Sequence, residues 1–598
     1  MLPSVLVSSV TESAPGTRVV RVLPEVSGLD KVFDYEVPAR WAGTVAPGSL
    51  VRIDLHHRRV AGWVVDVDVE APPGVTLRAV SKISSRGPSA EVIDLARWAA
   101  HRWQGRLAPL LRTASPDRMV DALPGMVSGP QVLPSSVSDE VSMVADEALG
   151  RPGVTLVRVA PTTDLYGFFE AAARLGDAIV VAPEVSEARF YGARFRRNGG
   201  RIALAGRDWS QAAAGGVVTG ARRAIWSTVP NLAAIVVLDE HDESLQEERN
   251  PTWHGREVAI ERATRAGVPC VLVSPAPSLV ALHTADRVLT LPRAIERHGW
   301  PPIRVIDRRN DDPGKGGLFS SALVDVLRGE GRVVCVLNRK GRAQMLACAS
   351  CGELIRTEDG NHLMAEIGGQ LVSSTTGEVR PLLCASCGGT KLKRIRLGVN
   401  RAREELEALA NESVGEITAE TLPADIERHR IVVGTEAVLH RVNAARTVCF
   451  LDFDQELHAP RYRASEQAMA LLVRAARMVG DRSGQGSVLV QTRSPDHRVL
   501  RAAVRADPAI LSTAEADIRQ QMGFPPFGSL AEVSGSGADA FLEPLVNRLD
   551  LGTTRVLGPR ADGRYLVRAE TPDELATLLA RLPPSKPRAR VAIDPPRV

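Results

Sequence analysis

Cys348-Ala-Ser-Cys351-Gly and Cys384-Ala-Ser-Cys387-Gly-Gly are the residues whose types and spacing most directly imply chemistry. Each C-x-x-C pair can form a tight knuckle that aims two thiolates at one metal, and the Gly after it permits the turn. Two knuckles, here 32 residues apart, complete the closed tetrahedral Cys₄ shell that structural zinc prefers. A closed shell leaves no open coordination position, so such a zinc holds structure and catalyses nothing. The alternatives are two unrelated pairs or a redox dithiol; the repeat of C-A-S-C-G within one stretch favours one structural Zn²⁺ held by Cys348, Cys351, Cys384 and Cys387. The other cysteines, Cys270, Cys335 and Cys449, each sit in an apolar, strand-like run and read as small buried hydrophobes. An odd total of seven in a long chain argues for metal or core use over disulfides.

The elements that must position these residues follow from texture. Residues 17–120 open with β-like runs (TRVVRVLPEV, KVFDYEVP, GSLVRIDL, RRVAGWVVDVDV) punctuated by Pro and Gly, then a helical stretch with Leu95, Trp98, Ala99 and Trp103 at helical spacing. A Pro/Ser/Gly-rich stretch reads as a linker over 121–149. From 150 to 310, apolar runs (TLVRVA, AIVVAPE, GVVTG, AAIVVLDE, VPCVLVSPAP) alternate with helical segments, the pattern of a parallel sheet covered on both faces. A second such set occupies 311–344 and 396–504, with the cysteine segment 345–395 inserted, and 505–598 forms a small α+β unit. The expected fold is multidomain α/β: a β-rich N-terminal domain, two tandem parallel-sheet lobes with a zinc-binding insertion in the second, and a small C-terminal domain. Tandem lobes of this kind are the pattern of a two-lobed motor.

The bulk numbers exclude several classes. A chain of 598 residues, 44% apolar and 24% charged, is ordinary globular protein of three to five domains. Lys+Arg of 74 against Asp+Glu of 70 gives +4, too little to grip duplex DNA by charge alone, so any DNA contact must come from local patches. The first residues, MLPSVLVSSVTES, carry no basic n-region, and there is no apolar run of about 18 residues. No signal peptide or membrane span is expected, and the expected location is cytoplasmic.

The order of these segments resembles the replication-restart helicases of the primosomal protein N-prime (PriA) family over nearly the whole length, in the shortened actinobacterial form. The resemblance is carried by Phe33-Asp34-Tyr35, Pro47-Gly48, Arg58-Arg59 and Gly62 near the start. In the first lobe it is carried by Ala182-Pro183-Glu184-Val185-Ser186, Gly220-Ala221-Arg222-Arg223-Ala224, Asp239-Glu240 and Ser274-Pro275-Ala276-Pro277-Ser278. Leu337-Asn338-Arg339-Lys340-Gly341, Gly434-Thr435 and Phe524-Pro525-Pro526-Phe527 complete the set. It implies RecA-like lobes and an N-terminal domain that holds the 3′ end of a DNA strand. Phe33, Asp34 and Tyr35 would line that pocket, and Arg78 stands roughly where the family has a Lys. The partners implied are forks and 3′ ends of DNA, a single-stranded-DNA-binding protein, and the replicative helicase or its loader. The family has eight cysteines and two zincs; the four here correspond to its outer pairs, so one zinc is implied. The family's winged-helix domain is missing before the first α/β strand.

The resemblance locates a nucleotide site, and its residues depart from the family pattern. A P-loop, G-x-x-x-x-G-K-[ST], wraps phosphates with backbone N–H groups, a Lys and a hydroxyl that holds Mg²⁺. After TLVRVA this chain reads Pro161-Thr162-Thr163-Asp164-Leu165-Tyr166. Proline removes an N–H, the glycines and Lys are gone, and Asp164 would set a like charge beside the nucleotide at a cost of roughly 1–4 kcal/mol. The family's finger arginines are replaced by Met478 and Asp481. Asp239-Glu240 remains, either as a Mg²⁺ and water site or as a polar strand terminus. From these residues ATP and Mg²⁺ use is not expected, and the chain is expected not to be an enzyme.

An aromatic and a carboxylate suit a pocket for a terminal nucleotide, since a base stacks on one and the hydroxyl donates to the other. The alternative is that F-D-Y is one strand with Phe33 and Tyr35 in the core. Arg52, Arg58 and Arg59 can meet phosphates or stand as solvated hairpin charges, and Trp98 and Trp103 read as core. Three functions compete: a non-motor protein that binds forked or 3′-ended DNA and helps reload the replicative helicase at stalled forks; an ATP-dependent 3′–5′ helicase with an unconventional nucleotide site; and a zinc-bearing protein scaffold without DNA binding.

Overall fold

The Val-rich runs near the start pair, in the computed structural model of the protein, into a five-stranded antiparallel sheet. Its strands β1 (Val19–Pro24), β2 (Phe33–Glu36), β3 (Leu50–Leu55), β4 (Arg58–Val67) and β5 (Lys82–Ser85) lie in the order β2-β1-β4-β3-β5. Alternation sends Val20, Val22, Tyr35, Val51, Ile53 and Val64 into one core. Leu23, Trp63 and Val65 pack instead with α1 (Ala90–Arg102) and α2 (Leu107–Ala114). Ser89 caps α1 by accepting from the Val92 N–H, and the helix buries Val92, Ile93, Leu95, Ala96 and Ala99. Trp103 is buried in the same core and Trp98 packs partly buried against it, 5.4 Å away and edge-on. The structure describes residues 18–71, 73–134, 138–309, 319–337, 345–351, 355–358, 364–373, 378–395, 399–418, 420–459, 461–547, 553–560 and 562–595.

The stretch expected as a linker over 121–149 ends in a helix. In α3 (Asp139–Leu149), capped by Ser138, Val141, Ala145, Ala148 and Leu149 are buried on the first parallel sheet. Their helical spacing was masked by the Pro- and Ser-rich residues before them. That sheet runs through β6 (Gly153–Arg158), α4 (Tyr166–Leu175), β7 (Asp177–Val181), α5 (Val185–Arg197), β8 (Ile202–Leu204), α6 (Trp209–Ala212) and β9 (Val217–Gly220). It continues through β10 (Leu232–Leu238), α7 (Gly255–Ala266), β11 (Pro269–Ser274), α8 (Leu279–Thr284) and β12 (Arg287–Thr290). The strand order is β12-β6-β11-β10-β7-β9-β8, parallel throughout. Successive residues feed opposite faces: Ile179, Ile235, Val237 and Leu272 enter one core, Val180, Val236, Val271 and Val273 the other. Apolar runs without alternation are what such a sheet requires.

A four-stranded antiparallel sheet, Arg555–Leu557, Tyr565–Ala569, Ser529–Ser534 and Arg590–Ile593 in that order, carries helices Ala538–Val546 and Pro572–Ala580. It belongs to the same compact unit as the elements above, Met1–Glu296, Arg461–Glu466 and Pro508–Val598.

The second unit, Arg297–Pro460 and Gln467–Asp507, holds the other parallel sheet. Its strands are β13 (Ile303–Asp307), β14 (Val333–Val336), β20 (Val414–Ile417), β21 (Ile431–Gly434), β22 (Thr447–Phe450) and β23 (Ser487–Thr492), in the order β13-β23-β22-β14-β21-β20. Between β14 and β20 lie the antiparallel ribbon β15 (Met345–Cys348) with β19 (Leu392–Ile395) and the small sheet β16 (Ala365–Ile367), β17 (Gln370–Val372), β18 (Val379–Pro381). The expected lobe boundary at 310 needs correction, because β13 pairs with β23 from Ile303↔Val488 to Asp307↔Thr492. An edge strand carries no local sign of which sheet it will join. From Asn338 on, the Leu337–Gly341 run quoted above lies outside the described residues. Among the described residues no helix is long and apolar enough to cross a membrane.

Candidate metal and DNA-binding sites

The ribbon β15–β19 brings Cys348 opposite Leu392, and both C-x-x-C knuckles then converge. The four Sγ atoms of Cys348, Cys351, Cys384 and Cys387 lie within 4.8 Å of one another. Cys348 Sγ is 3.4 Å from Cys387 Sγ, and Cys351 Sγ is 3.6 Å from Cys384 Sγ. Zn–S bonds of about 2.3 Å in a tetrahedron need sulfurs about 3.8 Å apart, so the set can hold a zinc ion. The knuckle backbone supports it: the Ser350 N–H donates to Cys348 Sγ at 3.4 Å, and Cys384 N–H donates to Gly389 O at 2.9 Å. N–H donation from Cys351 and Ser350 pulls the Cys348 thiol down to about 6, while the neighbouring sulfurs push Cys387 up to about 12, so the four thiols share their protons as one group. A Cβ on Gly389 would stand 3.0 Å from Cys348 Sγ, close enough that the sulfur would have to give by a few tenths of an ångström. The glycine repeated after C-x-x-C is Gly388, one residue earlier, so nothing in the sequence pattern pointed to Gly389.

On the N-terminal sheet the F-D-Y run divides by face. Tyr35 is buried in the core, its hydroxyl donates to Asp54 O at 3.0 Å, and burial raises its pKa. It offers no face to a base, so the expectation that Tyr35 lines a stacking pocket is corrected in favour of the core alternative. Phe33, directed to the same side of the strand, is only partly buried, with the Lys31 ammonium 5.5 Å from its ring centroid. Asp34 points to the opposite face and pairs with Arg21, its cross-strand neighbour, at 2.9 Å. Arg78 pairs with Asp54 at 3.3 Å.

Arg58 and Arg59 begin β4 just after the tight turn at His56 and His57, both in left-handed backbone (φ 48° and 62°). Arg52, Arg58, Arg59 and Lys82 are exposed and have no ion-pair partner among the described residues. Arg52 is the cross-strand partner of Lys82, so these cations share one stretch of sheet. Gly48 fixes its entry: its φ is 83°, and a Cβ there would fall 1.7 Å from Pro88 O.

In the first lobe, Pro161-Thr162-Thr163-Asp164 forms the turn between β6 and α4, where the family resemblance places a nucleotide. Thr163 Oγ1 accepts from the Ala160 N–H at 3.0 Å. The Asp164 carboxylate accepts from the Tyr166 N–H at the head of α4 at 3.1 Å and from Arg194 Nη1 at 2.6 Å. A carboxylate of the chain itself thus occupies the helix end at which an anion is ordinarily bound. Arg194 also lies over the buried Tyr166 ring, 4.0 Å from its centroid.

Asp239 and Glu240 follow β10 and are both buried. Glu240 is more than a polar strand terminus: Arg256 Nη1 donates to it at 2.9 Å, and the Ser278 N–H and hydroxyl each donate at 2.8 Å. His241 Nδ1 meets Ser274 Oγ at 2.8 Å. Nothing in sequence spacing pointed to Arg256 or Arg194 as partners. In the second unit, Met478 is buried in helix Ala464–Val479, and the Asp481 carboxylate accepts from the Ser483 N–H at 3.0 Å.

Residues 19–116 match the PriA 3′DNA-binding domain (3′BD) family. The replication restart protein PriA of Bacillus subtilis is 26% identical over 381 residues, 58% of this chain and 47% of that protein. The chain thus spans about half of that relative's length. The replication restart protein PriA of Treponema pallidum is 26% identical over 83% of this chain and 84% of its own length. The probable replication restart protein PriA of Mycobacterium tuberculosis is 26% identical over 85% of each chain. Among solved structures, an E. coli DExH-box NTPase, HrpB, is 11% identical with a TM-score of 0.34, over 63% of this chain and 44% of that one. The expectation that the chain is not an enzyme is overturned by these relatives: replication restart PriA proteins align along 83–85% of its length. The altered turn after β6 does not establish a lack of ATPase activity.

Proposed function

Because the chain belongs to the replication restart protein PriA family, we propose that it binds forks and free 3′ ends of DNA at stalled replication forks and helps reload the replicative helicase there. The observation that carries this reading is the sheet within residues 19–116, matched as a 3′ DNA-binding domain, with unpaired cations on its β3–β4 hairpin and on β5. Arg52, Arg58, Arg59 and Lys82 neutralise phosphates and position the duplex. Asp34, ion-paired with Arg21, accepts from the terminal hydroxyl. A single-stranded-DNA-binding protein and the replicative helicase or its loader are the protein partners of this reading. One Zn²⁺ on Cys348, Cys351, Cys384 and Cys387 holds the inserted ribbon.

Fluorescence anisotropy with forks bearing a free or a phosphate-blocked 3′ end tests it. The expected result is tighter binding to the free end, and a double Arg58→Ala, Arg59→Ala substitution that weakens both and lowers the log–log salt slope by about 1.8. Equal affinity for both forks sinks the 3′-end assignment.

A second reading, favoured by Asp239 and Glu240 standing buried after β10, is ATP-dependent 3′–5′ helicase action through an unconventional nucleotide site. It expects ATP hydrolysis that rises with added forked DNA and disappears with Glu240→Gln. Hydrolysis at the background rate with and without DNA rejects it.

A further inference from the structure

The DNA-binding sheet leaves one exposed stripe of the first lobe without a role. α5 presents Arg189, Phe190, Arg196 and Arg197 to solvent. Residues 189 and 196, like 190 and 197, are two turns apart and so share one side of the helix. Phe190 is 61% exposed, although Tyr191 beside it is buried and its ring stands 5.4 Å away, edge-on. Arg196 lies 3.5 Å from Asp208, while Arg189 and Arg197 have no ion-pair partner among the described residues. Arg201 and Arg207, both exposed, continue the charge beyond the helix. A basic last turn complements the negative end of a helix. That does not explain Arg189, which stands in the first half, or an exposed aromatic ring between cations.

We propose that this stripe is a second DNA surface that takes single-stranded DNA, with Arg189 and Arg197 on phosphates and a base stacked on Phe190. A ring set among guanidinium groups fits an unpaired strand, because an unpaired base offers a free face and a paired one does not. The stripe is tied to the N-terminal sheet within one unit. Arg196 reaches Asp208, and the next residue, Trp209, donates from Nε1 to Ala114 O at the end of α2 at 2.8 Å. The inference rests on the DNA-binding reading above and extends it from the strand terminus to the strand itself.

The test measures binding of the full chain to a fluorescent oligothymidylate with a phosphate-blocked 3′ end, across a salt series. Phe190→Ala is expected to weaken binding on the order of tenfold, and Phe190→Trp to retain it. A double Arg189→Ala, Arg197→Ala substitution is expected to lower the log–log salt slope by about 1.4. Because all three positions are exposed, thermal midpoints should match the parent, which separates lost contact from lost fold. Unchanged affinity and slope in these variants overturn the proposal, as does an equal loss on blunt duplex. A parent chain that fails to distinguish free from blocked ends, with the variants still weakened on the oligothymidylate, upholds the stripe and rejects the 3′-end assignment alone.

Discussion

A Cβ at position 389 would stand 3.0 Å from Cys348 Sγ and 3.3 Å from Cys387 Sγ. Gly389→Ala therefore requires these sulfurs to give by a few tenths of an ångström, which distorts their tetrahedron. The expected outcome is one zinc per chain in the parent and zinc that a competing chelator removes from the variant at roughly 10–100-fold lower concentration. Identical competition curves reject this role for Gly389. The cysteine cluster itself was legible because a set able to hold a metal shows in residue type and spacing. Tyr35 was not legible in the same way: F-D-Y reads equally as a pocket or as a strand until the opposing β3 closes over it and accepts its hydroxyl at Asp54 O.

At the scale of the element, α7 begins with an unusual cap. His254 Nδ1 accepts from the Arg256 N–H at 3.2 Å, which requires that nitrogen to be unprotonated. Burial, with Arg256 and Arg463 adding repulsion, holds the His254 pKa well below its ordinary value. A folded-state pKa below the unfolded value of about 6.5 means that the unfolded chain gains a proton first. The contribution is therefore complete above about pH 6.5 and is lost as pH falls below it. The first unit should lose thermal stability between pH 7 and pH 5, and His254→Asn, which keeps a capping acceptor without titrating, should flatten that dependence. Parallel melting-temperature profiles for parent and variant count against this account. The central strands β6, β7, β9, β10, β11, β14, β21, β22 and β23 were visible in the sequence because burial on both faces demands continuous apolar runs. β8, β12, β13 and β20 lie at sheet edges; β8 is only three residues long and the others mix buried with less buried positions, which leaves no comparable signal.

At the scale of the whole first unit, Arg102 joins segments that are far apart in the chain. From the end of α1 it pairs with Glu257 of α7 at 3.0 Å and with Asp594 near the C-terminus at 2.9 Å, and its side chain is only 6% exposed. Desolvation opposes the charge on Arg102, but the two carboxylates outweigh it and raise its pKa. Replacing it with Met keeps the aliphatic stem and strands two acidic groups, a loss of about 3–5 kcal/mol for a broken buried pair. Denaturant unfolding of Arg102→Met should show that loss, and a change below about 1 kcal/mol would mean that the surrounding residues re-pair or admit water.

The sequence by itself determined the layered α/β architecture, the four cysteines that can hold a metal and the order of segments that resembles the PriA proteins. All of these are written in local spacing and in the periodicity of apolar residues. Only the tertiary structure decided that Tyr35 is core, that Asp164 accepts from the Tyr166 N–H and pairs with Arg194, that Glu240 is held by Arg256 and Ser278, and that β13 joins the second sheet. Burial and ion-pair partnership are set by residues dozens to hundreds of positions away, and no short-range pattern records which of them will meet.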